Sequence, residues 1–350
     1  MSRLRAFDAR PLRPTGVDAE AVASVFRVPP EAAGQRVDLF VQSQLHRTSR
    51  TRAQAIVRAS AFDASGRRLK PNDRVQAEQK ILLWRPPWDE TPVPMDVPIL
   101  YEDEHLLAVD KPALLPVHPT ARYHKNTLIK LLEQLRPEVE FLSLGHRLDR
   151  ETSGVMLVSK SRACDRALKR LIQDRSGMEK AYVAIARGVP DRGDGARSFV
   201  CDRRMEIDPL SPLKVKMRVG DGPDSMSAST AIEVTEVRLS GDGQAYARVD
   251  CGLYTGRQHQ IRVHLASLGA PVVGDKLYGL DDRAFARAAD GELTDDDLVR
   301  LELPRHALHA RRIALPHPMT GMPLCVEAPL PEDITGFWRA LPNLRALPSL

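Results

Sequence analysis

The residues best suited to chemistry in this chain are those at 146–154, whose sequence is HRLDRETSG. They place one carboxylate, Asp149, between two guanidinium groups, Arg147 and Arg150. The Thr-Ser-Gly that follows predicts a turn, and the apolar run at 155–158 predicts a buried strand. We therefore expect the acid at the edge of a rigid sheet, where a reactive group is well positioned. The arginines favour the ionised carboxylate and can also bind phosphate.

A second group of chemical interest lies at 254–265, where a strand is predicted to end in a glycine turn and a helix to begin near Arg257. Apolar residues at i, i+4 and i+7 give this helix a buried face, and Gly269 ends it. Arg262 lies beside that face. It is therefore a candidate for a partly buried cation that needs an anionic partner, with Asp149 as the obvious choice. The alternative is a surface helix whose arginines lie in water.

The elements that must position these residues belong to a chain of ordinary globular composition. Its 350 residues are 43% hydrophobic and 28% charged, and they suffice for one large domain and a small one. The first twenty residues lack the apolar core of a signal peptide, and no apolar run approaches membrane-spanning length. The four cysteines show no paired or ligand-type spacing, and His259 and His264 have no third ligand nearby. We therefore expect a cytoplasmic protein with no membrane partner, no disulfide framework and no metal site.

The positive charge is concentrated in the N-terminal quarter of the chain. Residues 1–90 contain 16 Lys and Arg against 10 Asp and Glu, whereas the other 260 residues contain 35 against 36. A small basic module joined to a nearly neutral larger one is typical of an appendage that binds nucleic acid. The alternative is a solvated basic surface without a partner.

The N-terminal residues have the pattern of a small α/β module. Residues 1–30 are polar and broken by prolines, which predicts a flexible lead-in. The next predicted elements are a helix, a second helix, a basic turn and a strand, at 37–45, 52–59, 66–71 and 80–84. This order resembles the S4-type RNA-binding module, which we place at 31–88.

A proline-rich linker at 89–98 separates this module from a large domain at 99–345. Predicted strands outnumber helices in the large domain. We therefore expect an α+β fold with a mixed, mainly antiparallel central sheet and flanking helices. The stretch at 190–228 is predicted to form loops between strands, and the acid-rich stretch at 280–300 a surface insertion.

Five blocks of the large domain resemble, in order, the RluA-type pseudouridine synthases. They lie at 99–119, 146–154, 179–182, 255–279 and 309–321. The resemblance implies the pseudouridine synthase fold and the isomerisation of uridine in RNA to pseudouridine. In that reaction the N1–C1′ bond breaks, the uracil turns, and a C5–C1′ bond forms. It implies no cofactor, which agrees with the lack of a nucleotide-binding fingerprint in the sequence.

The resemblance assigns the essential carboxylate to Asp149. A carboxylate suits this reaction because positive charge develops at C1′ as the base departs, as in glycoside hydrolysis. It could attack C1′ as a nucleophile or support a glycal route, and both remain open. The ion-pair partner falls on Arg262. The tyrosine that stacks on the uracil and helps remove the C5 proton falls on Tyr182, whose alternative role is a tyrosine of the sheet core.

The resemblance also implies contacts with the substrate. Arg147 matches the arginine that helps extrude the target base from its stack, and its alternative role is a phosphate contact. The other predicted substrate-binding residues are Lys111, His118, Arg150, Lys180 and Arg257. The expected partner is large-subunit ribosomal RNA, with transfer RNA as the other possibility, bound by a monomer. Two further functions stay open. One is a non-catalytic RNA-binding or ribosome-assembly factor on this fold, and the other is a glycosidase-like hydrolase, which needs a second carboxylate.

Overall fold

The computed structural model describes residues 13–19, 21–45, 48–86, 90–120, 123–174, 177–213 and 215–342, except for the side chains of 289 and 290. The chain divides into two compact units, Met1–Glu90 and Thr91–Leu350. Each has its own hydrophobic core, so each is described by itself. None of the described helices is long and apolar enough to cross a membrane.

The first unit is a three-stranded antiparallel sheet that packs against two helices. Its strands and α-helices are β1 Val22–Arg27, α1 Val37–Gln44, α2 Arg50–Ser60, β2 Ala61–Asp63 and β3 Lys80–Arg85. The strand order is β1-β3-β2. Helix α2 begins after Ser49, whose hydroxyl accepts the backbone N–H of Arg52 at 3.2 Å. These elements confirm the two helices and the strand that the sequence predicts, whereas the resemblance to the S4-type module stays a prediction.

The flexible lead-in predicted for residues 1–30 is wrong at its C-terminal end. All six residues of β1 pair with β3, from Val22 opposite Arg85 to Arg27 opposite Lys80. The ladder satisfies the backbone groups of this segment, and Ala21 and Val22 are buried. Residues 1–12 lie outside the described residues, so the prediction is neither confirmed nor contradicted there.

The second unit is built on a ten-stranded sheet. The order is β4-β5-β7-β14-β8-β13-β12-β9, with β15 paired to β14 and β6 paired to β7. Every pairing is antiparallel except that of β14 with β7, which is parallel. The strands of this sheet are β4 Ile99–Glu102, β5 Leu106–Lys111, β6 Ser143–Leu144, β7 Ser153–Ser159, β8 Glu179–Arg187, β9 Ser198–Cys201, β12 Thr230–Leu239, β13 Ala245–Leu253, β14 Leu308–Pro316 and β15 Pro323–Glu327. The predicted mixed, mainly antiparallel sheet is confirmed.

Helices cover both faces of this sheet. They are α3 Leu128–Leu135, α4 Arg162–Asp174, α5 Gln260–Ser267, α6 Asp282–Asp290, α7 Asp295–Leu301 and α8 Glu332–Ala340. Alternate residues of each strand point to opposite faces. Accordingly Met156 packs in the core on the side of α3, α5 and α8, while its neighbour Leu157 packs on the side of α4. The predicted α+β fold with flanking helices is therefore confirmed.

Two stretches that the sequence predicts to be irregular contain strands or helices. The stretch at 190–228 contains β9 and a hairpin of β10 Met205–Ile207 and β11 Met217–Val219. The predicted insertion at 280–300 is the pair of helices α6 and α7, capped by the side chains of Asp281 and Thr294. The acidic run at 295–297 forms the first turn of α7, where the helix dipole favours negative charge.

The glycine of the HRLDRETSG segment is required where β7 begins. Gly154 has φ +112° and pairs with Ala310 of β14. A Cβ atom at this position would lie 2.2 Å from the Ala310 carbonyl oxygen. Only glycine therefore allows the parallel strands to meet here, and this close approach fixes the strand that follows Asp149.

Candidate active site

A cleft of about 840 Å³ opens in the second unit, beside the start of β7. It is lined by the loop that precedes β7, by residues of β8, and by the segment that joins β13 to α5. Its volume lies in the range of pockets that enclose a small ligand or one nucleotide. The cleft therefore brings together two of the segments that the sequence marks as chemical, 146–154 and 254–265.

Asp149 projects into this cleft from a turn in which its carbonyl accepts the Thr152 N–H at 3.1 Å. Its Oδ2 atom accepts a hydrogen bond from Arg262 Nη1 at 2.8 Å, which confirms the predicted partner 113 residues away. Burial is the largest single effect and raises the pKa of Asp149, but the charge and hydrogen bond of Arg262, together with smaller contributions from His259 and His306, outweigh it, and the pKa lies below its ordinary value. The carboxylate is therefore ionised at neutral pH, and 30% of its side chain is exposed.

Arg262 is shared between two carboxylates. Its Nε and Nη2 atoms donate to Asp275 at 2.7 and 2.8 Å, in a bidentate pair, while Nη1 donates to Asp149. Asp275 also accepts the backbone N–H groups of Leu277 and Tyr278. The side chain of Asp275 has no exposed surface, and Arg262 holds its pKa well below the usual range despite the effect of burial. Sequence analysis did not identify Asp275 as part of the site.

His259 is a further neighbour of Asp149 that the sequence did not assign to the site. It precedes α5 with φ +58° and ψ +16°, a left-handed conformation, so the helix begins at Gln260 rather than at the predicted Arg257. Its Nε2 atom lies 3.9 Å from Asp149 Oδ1, and its Nδ1 atom lies 2.8 Å from the hydroxyl of Tyr278. Burial lowers the pKa of His259 to about 4, so its ring is neutral at pH 7.

Tyr182 and Lys180 line the cleft from β8. Tyr182 is 7% exposed and belongs to the hydrophobic core, which confirms the alternative role of a sheet-core tyrosine, while its role toward the uracil stays a prediction. Burial, with a contribution from the charge of Asp149, raises its pKa and keeps the phenol protonated. Burial lowers the pKa of Lys180 to about 8. Among the described residues Lys180 has no hydrogen-bond or ion-pair partner, which leaves its ammonium available in the cleft.

Arg147 and Arg257 also line the cleft. Arg147 is exposed, and its guanidinium forms no hydrogen bond or ion pair with any described residue. Arg257 Nε donates to the carbonyl of Ser227 at 3.1 Å, which leaves its two Nη atoms unbonded within the described part of the chain. The cleft wall therefore presents three cations, with Lys180, that can meet an anionic ligand.

The prediction that Lys111 lines an RNA cleft is wrong. Its side chain is fully buried, and its ammonium donates to the carbonyls of Pro112, Leu115 and Arg150 at 2.8, 3.0 and 3.1 Å. Burial lowers its pKa to about 7. Lys111 thus holds the end of β5 against the backbone beside Asp149 rather than meeting a ligand.

Two further predicted residues, His118 and Arg150, are exposed but do not line the cleft. Arg150 Nη1 donates to the hydroxyl of Tyr123 at 2.9 Å. Their predicted contacts with substrate remain predictions about the surface around the cleft.

Glu151 and Thr152 fix the loop that carries Asp149 through contacts with Lys276 and His306. Glu151 accepts hydrogen bonds from Lys276 Nζ at 2.7 Å and from the His306 backbone N–H at 3.2 Å. The Thr152 hydroxyl lies 2.8 Å from His306 Nε2. Burial lowers the pKa of His306 to about 4, so this ring is neutral as well. Arg262 therefore supplies the positive charge that ionises Asp149 at neutral pH.

Within the described part of the chain, no group of three or more His, Cys, Asp or Glu side chains is arranged to hold a metal ion. Among the described residues that line the cleft, Asp149 is the one carboxylate.

Comparison with known proteins identifies the family of this chain. A family model described as RNA pseudouridylate synthase matches residues 105–267. The ribosomal large subunit pseudouridine synthase D of Xanthomonas campestris pv. campestris is 33% identical over 321 residues, which cover 90% of this chain and 91% of that protein. The ribosomal large subunit pseudouridine synthase C of Escherichia coli K12 is 32% identical over 329 residues, which cover 90% and 95% of the two chains.

Solved structures show the same fold. Human RNA pseudouridylate synthase domain containing 4 aligns with a TM-score of 0.52 and 27% identity, over 69% of this chain and 92% of that one. Human RNA pseudouridylate synthase domain containing 1 aligns with a TM-score of 0.56 and 24% identity, over 74% and 94%. With relatives above 30% identity that span nearly the whole chain, the assignment is secure: this chain belongs to the RNA pseudouridylate synthase family.

Proposed function

We propose that this protein isomerises uridine to pseudouridine in large-subunit ribosomal RNA, with Asp149 as the catalytic carboxylate. One observation carries the proposal: an ionised carboxylate, paired with a buried arginine, is the single acid among the described residues that line the cleft. The relatives that span most of this chain are named as ribosomal large subunit pseudouridine synthases, which supports ribosomal RNA over transfer RNA.

Asp149 has the form that the reaction needs. Its Oδ2 atom is bonded to Arg262, whereas Oδ1 has no hydrogen-bond partner among the described residues and faces the cleft. An unprotonated oxygen can attack C1′, or can stabilise the positive charge at C1′ during a glycal route. A glycosidase-like hydrolase would need a second carboxylate across the cleft. Asp275 cannot serve, because it is buried behind Arg262 and accepts four hydrogen bonds.

Tyr182 is proposed to stack on the uracil and to contribute to removal of the C5 proton. Its position on β8, at the wall of the cleft near Asp149, supports the first role. Its raised pKa bears on the second role, because a protonated phenol can accept the C5 proton only if it passes its own proton on.

The cations of the cleft wall are proposed to hold the RNA. The Arg147 guanidinium has no partner among the described residues, so it can fill the space that the extruded base leaves in the stack. Lys180 and Arg257 are proposed to bind phosphate or sugar oxygens around the target nucleotide. Lys180 is the stronger candidate, since its half-buried side chain lacks a compensating anion in the described part of the chain and burial lowers its pKa.

The first unit is proposed to bind RNA through the exposed face of α2. Arg52 and Arg58 are exposed there and have no side-chain partner among the described residues. Replacing both with Gln is expected to reduce the slope of log affinity against log salt by about 1 to 2, since each lost phosphate contact removes about 0.7 to 0.9. The matched control is Arg27→Gln, because Arg27 is engaged by Glu78 at 3.2 Å. Equal slopes in all three proteins would contradict the proposal.

Removal of Asp149 tests the catalytic role. Asp149→Ala is expected to bind RNA but to release no tritium from RNA labelled at uridine C5. The control is Asp296→Ala, because the side chain of Asp296 is 79% exposed on α7, away from the cleft. Pseudouridine formation by the Asp149→Ala protein would refute the role.

The RNA target and the non-catalytic alternative are tested together. Pseudouridines are mapped in total RNA from cells with and without the gene. Loss of a site in large-subunit ribosomal RNA is the expected result. Loss in transfer RNA would correct the substrate, and an unchanged map would favour the non-catalytic RNA-binding factor.

A further inference from the structure

The Tyr278 hydroxyl contacts the His259 ring and bears on which ring nitrogen carries the proton. The Tyr278 oxygen accepts the backbone N–H of Met217 at 3.1 Å and lies 2.8 Å from His259 Nδ1. Burial raises the pKa of Tyr278, so its hydroxyl keeps its single proton. An amide N–H can only donate, so the hydroxyl proton is free to point at Nδ1, which then accepts it. In this arrangement the proton of the neutral imidazole sits on Nε2.

This tautomer places a hydrogen-bond donor beside the catalytic acid. His259 Nε2 lines the cleft 3.9 Å from Asp149 Oδ1, which is too long for a direct hydrogen bond. Asp149 Oδ1, as part of a carboxylate, can only accept, and Nε2–H can only donate. An oxygen atom about 2.8 Å from both would satisfy the two groups at once, provided that it accepts from one and donates to the other.

We infer that His259 is a substrate-binding residue, and that the gap between His259 Nε2 and Asp149 Oδ1 receives the 2′-hydroxyl of the target ribose. A hydroxyl is the group of a nucleotide that accepts and donates through one oxygen. The inference rests on the proposed function, which puts Asp149 at C1′, the carbon next to C2′. The contact would make the site select a ribonucleotide over a deoxyribonucleotide.

The backbone of His259 gives independent support. The residue has φ +58° without being glycine, and such residues are uncommon and costly. The left-handed conformation directs its ring toward Tyr278 on one side and Asp149 on the other. The same geometry supplies a clean variant, because His259→Gly removes the ring while it suits the backbone conformation.

The tautomer is tested first, by ¹⁵N NMR of histidine-labelled protein, with His259 assigned by its absence in the His259→Gly variant. The expected result is a protonated Nε2 and an unprotonated Nδ1. Tyr278→Phe should remove the restraint and move the ratio of tautomers toward Nδ1–H. A protonated Nδ1 in the unchanged protein would overturn the inference. This measurement does not depend on any enzymatic activity.

The contact itself is tested by measuring the affinities of two proteins, the unchanged protein and His259→Gly, for three RNAs. The RNAs carry uridine, 2′-deoxyuridine or N3-methyluridine at the site that pseudouridine mapping identifies. Half-saturation in single turnover gives the affinity for the uridine RNA, and competition against it gives the affinities for the modified RNAs. Loss of the 2′-hydroxyl is expected to weaken binding to the unchanged protein about three- to tenfold more than binding to His259→Gly, the range of one neutral hydrogen bond.

The outcomes separate the possibilities. Equal losses in the two proteins would overturn the inference, since His259 would not sense the hydroxyl. If N3-methylation weakens binding to the unchanged protein more than binding to His259→Gly, the inference is also overturned. That result would show that the imide edge of uracil occupies the gap. If the unchanged protein forms no pseudouridine in any RNA, the proposed function fails instead, and the NMR result stands apart from it.

Discussion

Asp275→Asn is the sharpest perturbation of the site, because it changes one atom beside Arg262, the partner of the proposed catalytic acid, and leaves every residue that lines the cleft unchanged. Asp275 Oδ1 accepts from Arg262 Nη2 and from the N–H groups of Leu277 and Tyr278, and the amide oxygen of asparagine can keep these three bonds. Oδ2 accepts from Arg262 Nε, and an amide NH₂ there would face another donor. The substitution therefore removes one negative charge and one bond of the bidentate pair.

The size of the effect follows from the geometry. A carboxylate and a guanidinium whose charge centres are about 4 Å apart attract by about 4 kcal/mol at an effective dielectric constant of about 20. Breaking a buried pair costs roughly 3–5 kcal/mol, and Arg262 retains Asp149 as a partner. We expect a loss of about 3 kcal/mol in the free energy of unfolding, which lowers the Tm by roughly 10 °C in a unit of this size.

The effect on catalysis comes from the freedom that Arg262 gains. Without the bidentate restraint, its guanidinium can turn and bond both oxygens of Asp149. A displacement of about 1 Å at a catalytic group lowers the rate about 100-fold. The expected result in single-turnover tritium release is a maximal rate about 100-fold lower, with RNA affinity within about twofold of the unchanged protein.

A matched variant separates catalysis from stability. Asp297 forms a similar bidentate pair with Arg287, at 2.7 and 2.6 Å, and its side chain is 1% exposed. Neither residue lines the cleft. Asp297→Asn should lower the Tm, but less, because Arg287 is one-third exposed, and should leave the rate unchanged. A maximal rate of Asp275→Asn within about twofold of the control would refute the positioning role and leave Asp275 a structural residue.

Two other predictions follow from the described contacts. Lys111→Met leaves three carbonyls without their donor and should destabilise the fold by about 3 kcal/mol, measured by urea unfolding, with RNA affinity unchanged below the transition. A selective loss of affinity would restore Lys111 as an RNA contact. Because the folded pKa of Asp149 lies below 3.8, the ionised form is present above that pKa and is lost as the pH falls through it. The profile of kcat/KM should therefore be level from about pH 7 to about pH 5 on its acid side, and an acid limb near pH 6 would contradict the lowered pKa.

Sequence reasoning reached Asp149 and Arg262 because local patterns mark both. The turn and the apolar strand after Asp149, and the helical spacing around Arg262, are signals that a few neighbouring residues carry. The flexible lead-in failed at β1 for the opposite reason. That strand is stabilised by its pairing with β3, which lies more than fifty residues further along the chain, and its own composition does not predict this pairing.

Asp275 and Lys111 show what local patterns leave out. Both are charged, and charged residues are usually exposed, so composition favours a surface position for each. Asp275 lies in the block at 255–279 that resembles the family in sequence, and Gly274 before it is packed so closely that a Cβ atom would lie 2.1 Å from the Arg305 carbonyl oxygen. The burial of Lys111 depends on a carbonyl 39 residues away. Such contacts exist only once the chain has folded.

The sharing of Arg262 explains why the site uses an arginine and two carboxylates instead of a simple ion pair. A bidentate pair between Arg262 and Asp149 alone would bond both carboxylate oxygens and leave none for C1′. Asp275 occupies Nε and Nη2, so Asp149 receives one hydrogen bond, on Oδ2. Asp149 is thus kept ionised by a full charge while its Oδ1 atom stays unbonded toward the cleft. The buried Asp275 thus leaves one oxygen of Asp149 without a hydrogen bond, and that oxygen is the one that the proposed reaction at C1′ requires.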